Sequence, residues 1–190
     1  MSVMLDFLGS AMIASLLILM MITFQYQLRD QAQRTLYTAT MVDHMDKACT
    51  KINAVLSLAG IGVPADSACV TATTSRMVMR TYWDYQSDLL SASRHSVEIK
   101  IVDLGSPFGK ALTIVQDGTP LYDSGYIFYI NEISFKYYNK SDLVTTVPSA
   151  VRSAEIFLTF RREAPNSGGR ALITKIQLKC FLMNTYMRGA

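Results

Sequence analysis

The stretch Phe7-Leu-Gly-Ser-Ala-Met-Ile-Ala-Ser-Leu-Leu-Ile-Leu-Met-Met-Ile-Thr-Phe24 carries no charge over eighteen positions. That length and composition lie near the lower limit for an α-helix that crosses a bilayer. Nothing breaks the pattern at its C-terminal end. Past Phe24 the apolar positions Leu28, Ala32, Leu36, Ala39, Val42, Met45, Cys49, Ile52 and Leu56 recur at steps of three and four. On a helix such steps make one stripe. Arg29, Asp30, Arg34, Asp43, Asp46, Lys47 and Lys51 fall mainly off it. No proline intervenes before Pro64, and Gly60 and Gly62 supply a stop. The spacing predicts one helix from Leu5 to Leu58, roughly 80 Å long at 1.5 Å per residue. Three segments follow: an apolar half-helix over 1–27, an amphipathic continuation over 28–62, and a globular domain over 63–190.

Three roles are open to the apolar half: a signal peptide, a transmembrane anchor, or a helix that starts in a membrane and ends in a helical polymer. No Lys or Arg precedes Arg29, whereas a signal peptide wants a basic start. Gly9, Ser10, Ala11, Ala14 and Ser15 are small. Small residues let helices approach closely in an apolar setting, and they are also simply common in membrane helices.

From Val70 onward the period changes from helical to alternating. Val97–Ile101, Ile133–Tyr137, Glu155–Arg161 and Leu172–Leu182 alternate apolar with polar residues, the pattern of antiparallel strands with one buried face. Arg76–Trp83 and Lys110–Val115 are weaker strand candidates. Turn residues separate them at 105–107, 117–120, 139–142 and 167–169. Residues 87–93 read as a loop or a short helical turn. Leu36, Val42, Met45 and Ile52 are expected to cover a sheet face. The ten tyrosines, among them Tyr82, Tyr85, Tyr122, Tyr126, Tyr129, Tyr137 and Tyr138, suit ordinary strand packing and also a subunit surface.

Only 17% of the residues are charged and the net charge is +3, with no Lys or Arg stripe, so nucleic-acid binding finds no support. Cys49, Cys69 and Cys180 have no zinc spacing. A Cys49–Cys69 disulfide fits a domain outside the cytoplasm; three buried thiols fit equally. His44 and His95 have no second ligand at metal spacing. No phosphate loop or hydrolase motif occurs, and Asp84 with Asp88 reads as a solvated loop rather than an acid–base pair. The chain is expected to be no enzyme, to use no cofactor or metal, and to take no small-molecule substrate.

This layout resembles the type IV pilin-like superfamily, which comprises type IV pilins and the pseudopilins of type II secretion systems. The resemblance spans the chain in layout and touches specific residues only at its start. It implies an α+β fold, a long helix whose amphipathic half packs on an antiparallel β-sheet. It also implies a structural role. The partners would be copies of the chain or related pilin-like subunits. The subunit would wait in the bacterial inner membrane before entering a cell-surface filament or periplasmic pseudopilus. In that family a glutamate at the fifth mature residue meets the N-terminal amine of a neighbouring subunit. Asp6 takes that place if Met1 is removed. Asp6, Phe7, Gly9, Ala11, Ala14 and Leu17 are then the expected subunit contacts. Two departures stand out: the acid is Asp rather than Glu, and only Gly9 is available to break the apolar half-helix. A single-pass accessory subunit of a membrane complex, which does not polymerise, is the other function this layout fits.

Overall fold

A computed structural model describes residues 2–105, 109–121, 128–163 and 171–188. The chain is α+β. Helix α1 runs unbroken over Ser2–Leu58. Nine strands follow: β1 (Cys69–Ala72), β2 (Arg76–Asp84), β3 (Leu89–Val102), β4 (Lys110–Gln116), β5 (Thr119–Pro120), β6 (Phe128–Ile130), β7 (Glu132–Tyr138), β8 (Ser153–Glu163) and β9 (Ala171–Phe181). A short helix α2 (Met183–Arg188) comes last. The chain divides into two compact units, and the division falls inside α1, between Thr40 and Met41. The turns expected at 105–107 and 167–169, with Tyr122 and Tyr126, lie wholly or partly outside the described residues.

In the second unit the strands form two sheets. The larger has the order β1-β2-β3-β4-β5, with β6 also paired to β4; the smaller is β7-β8-β9. The β1–β2, β2–β3, β3–β4, β4–β5, β4–β6 and β7–β8 pairs are all antiparallel. The β2–β3 and β3–β4 registers line up Met77, Ile99 and Ile114 in one row and Met79, Val97 and Gln116 in the next. In the smaller sheet Ile133 faces Leu158, Phe135 faces Ile156 and Tyr137 faces Ala154. These rows are buried, because residues two apart on a strand share a face. Asp117 and Gly118, at φ 49° and 87°, turn β4 into β5, as a two-residue hairpin with Asp-Gly does.

The helix supplies the third wall. Met41, Met45, Ala48, Ile52, Val55, Leu56 and Ala59 join the strand residues in one core cluster. Met45 and Ile52 thus lie where the spacing placed them. Leu36 and Val42 do not: they are 68% and 55% exposed. Val42 stands about 100° around the helix from buried Met41, outside the arc of roughly 100° that the buried side chains from Val55 to Leu56 span. The two sheets meet through β7. Phe135 N donates to Thr74 O at 2.9 Å, and the Tyr137 hydroxyl donates to Thr73 O at 2.8 Å. Burial pushes the Tyr137 hydroxyl well above its ordinary pKa, which keeps it a donor at any physiological pH.

The end of α1 is fixed by Gly60, at φ 77°. A Cβ there would stand 2.7 Å from Thr185 Cγ2. A left-handed backbone costs a non-glycine residue ~1–2 kcal/mol, and the displaced Thr185 adds to it. Gly60→Ala should therefore lower unfolding stability by about 2 kcal/mol or more, read as a lower denaturant midpoint with an unchanged slope. A midpoint equal to wild type would contradict this reading of the helix end.

Candidate functional site: the apolar half of the long helix

Among the described residues one helix is long and apolar enough to cross a membrane; its most apolar eighteen residues have a mean hydropathy of 2.3 and none of them is buried. Every described side chain from Val3 to Phe24 is exposed; Phe7 is 75% exposed and Leu17 57%. So large an apolar surface marks a membrane or protein contact. The helix also satisfies its own polar groups. Ser10 Oγ donates to Phe7 O at 2.9 Å, Ser15 Oγ to Met12 O at 2.8 Å, and Thr23 Oγ1 to Leu19 O at 2.8 Å. With backbone and hydroxyl groups paired inside the helix, the segment meets the main condition for residence in hydrocarbon.

The expected contact residues all lie on this helix and are exposed. At about 100° per residue, Asp6, Ala14 and Leu17 fall within about 80° of one another. Phe7 and Ala11 stand one turn apart on the flank of that face. Gly9 falls on the other side of Asp6, and nothing stands within 4 Å of the position a Cβ would take there. Among the described residues Asp6 has no ion pair. Farther along α1, Asp30 pairs with Arg34 at 2.9 Å and Asp43 with Lys47 at 2.7 Å, both one turn away. A lone carboxylate at the edge of an apolar segment is costly to bury unless a cation meets it.

Among the described residues no group of three or more His, Cys, Asp or Glu could hold a metal ion. His44 is exposed on α1. His95 lies within β3, with Nδ1 2.6 Å from Asp117 Oδ2. Its Nε2 is buried without a hydrogen-bond partner among the described residues. Asp84 and Asp88 do not act as a pair. Asp84 is engaged by the Ser87 hydroxyl (2.7 Å), the Gln116 side-chain amide (2.6 Å) and Gln86 N–H (3.0 Å), while Asp88 is exposed at φ 57°.

Those donors, led by Ser87, hold the Asp84 carboxyl down to about 2. A depressed folded-state pKa stabilises the fold above the unfolded value of about 4, and the contribution fades as pH falls toward 2. The melting-temperature gap between wild type and Asp84→Asn should therefore shrink from pH 4 to pH 2. A gap that stays constant over that range would contradict this role of Asp84.

All three cysteines are free thiols in this structure, the form that the sequence left open beside a Cys49–Cys69 bridge. Cys69 lies on β1 with Sγ 3.7 Å from Thr71 O, and burial pushes its thiol up to about 11. The spacing of the cysteines gave no sign that Cys180 Sγ lies 3.7 Å from Asn53 Oδ1, on a residue one helical turn from Cys49. No protein-family model, curated protein or solved structure matches this chain.

Proposed function

We propose that this chain is a structural subunit of a pilus-like filament or pseudopilus, assembled through the apolar half of α1. The observation that supports this reading is an uninterrupted helix whose residues Val3–Phe24 are all exposed, with an unpaired Asp6 near its start. Covering such a segment removes on the order of 1,500 Å² of apolar area from water, worth tens of kcal/mol at ~25 cal/mol/Å². A membrane supplies most of that gain before assembly. Helix packing and the pairing of Asp6 with a neighbour's N-terminal amine then decide between lipid and filament. The rest of the chain forms a folded body that the filament displays. The same layout serves a single-pass accessory subunit of a membrane complex, in which nothing polymerises.

Asp6→Ala separates the two. In a filament subunit it abolishes assembly, while the protein stays folded and membrane-bound. Filaments that form normally from the Asp6→Ala chain would exclude the pairing, and a chain that never yields filaments with Asp6 intact is the accessory subunit.

A further inference from the structure

The last inward residues of β9 dock on the end of α1. Cys180 and Leu182 are buried. Cys180 Sγ lies 3.7 Å from Asn53 Oδ1. Just beyond, the Asn184 side-chain amide donates to Ser57 O at 3.0 Å and Ala59 O at 3.1 Å. Asn53 follows Cys49 by four residues, one helical turn, so both stand on the same side of α1. Cys49 is half-buried and packs against the same core. Burial first, and Cys49 second, push the Cys180 thiol up to about 11, while Cys49 itself is raised by burial and then by Asp46. Cys69 shows no such influence from Cys49; it acts instead on Tyr137. Proximity in sequence favours Cys49 with Cys69, whereas proximity in space favours Cys49 with Cys180.

We propose that Cys49 and Cys180 are a disulfide-forming pair that pins β9 to α1 when the globular unit folds in an oxidising compartment, with Cys69 left as a buried thiol. The S–H bonds of Cys49 and Cys180 break and one S–S bond forms. The two electrons and the two protons pass to the disulfide of a thiol–disulfide oxidoreductase, or of oxidised glutathione, whose S–S bond breaks to give two thiols. The bridge would close a loop of about 130 residues that holds both sheets, and such a link acts mainly by restricting the unfolded chain. The pairing rests on the fold, not on the filament reading, and it can fail or hold independently of assembly.

The test is to refold the full chain from denaturant into detergent with a glutathione redox buffer. Thiols accessible during folding then have their chance to oxidise. Remaining thiols are alkylated in denaturant and the chain is cut with trypsin. The expected product joins peptide 48–51 to peptide 180–188, separates on reduction, and leaves Cys69 alkylated in peptide 52–76. Cys69→Ser should retain the link, and the oxidised protein should melt several degrees above the reduced one. Cys180→Ser should lose both the link and that difference. A Cys49–Cys69 link, or three alkylated cysteines, overturns the proposal.

Discussion

Ile52→Asp abolishes the cooperative unfolding of the globular unit. Ile52 is fully buried, at 0% exposure, in the middle of the helix face that closes the core. Removing its side chain alone would cost ~2–5 kcal/mol. An aspartate adds the cost of a buried carboxylate with no cation in reach. The sum approaches the whole stability of an ordinary domain, about 5–15 kcal/mol. Leu36→Asp and Val42→Asp are the controls. Both side chains are exposed, so each change should stay within about 1 kcal/mol of wild type. Calorimetry or near-ultraviolet circular dichroism of the full chain in detergent reads all three. A normal transition for Ile52→Asp would show that α1 does not close the core. Unfolding by Val42→Asp would restore that residue to the packing face.

Leu16→Arg releases the chain from membranes. Leu16 lies near the centre of the uncharged stretch and is 59% exposed. Exchanging leucine for arginine at the middle of a membrane helix costs ~3–4 kcal/mol on the insertion scale, which is roughly two to three orders of magnitude in partitioning. Leu16 lies in the other compact unit and outside the core cluster, so the melting temperature of the globular unit should not move. Alkaline carbonate extraction is the measurement: wild type stays in the pellet and Leu16→Arg enters the supernatant. A variant that stays in the pellet would show that this half of α1 does not reside in lipid.

The long helix and most strands were readable from periodicity. Alternation located Val97–Ile101, Ile133–Tyr137, Glu155–Arg161 and Leu172–Leu182, and all but Leu182 lie within strands. The packing face of α1 was only partly readable. The expected stripe and the buried one share Met45, Ile52 and Leu56, with Cys49 half-buried at the edge, but the real face also takes Met41, Ala48 and Val55 and leaves out Val42. Apolarity alone cannot rank Met41 against Val42; the facing strands do. Residues 89–93 read as loop because Leu89-Leu-Ser-Ala-Ser93 has no clean alternation. They are strand because the β2–β3 hairpin supplies a backbone ladder, with Trp83 opposite Leu90 and Asp84 opposite Leu89. The split into two sheets was hidden as well. It depends on contacts such as Tyr137 with Thr73, more than sixty residues apart, which no local pattern encodes. The assembly face is a different case. Its residues were legible as a charge-free run with one acid at the edge, and the structure adds that no described side chain there is buried.

The central claim is that exposed α1 residues become the core of a filament. Electron microscopy of material sheared from intact cells tests it most directly, with the protein and its N-terminus identified by mass spectrometry. The account predicts ordered filaments rich in this chain, beginning at a residue that lets Asp6 meet a neighbour's amine. Chain found only in the membrane fraction, with no filaments, would contradict it.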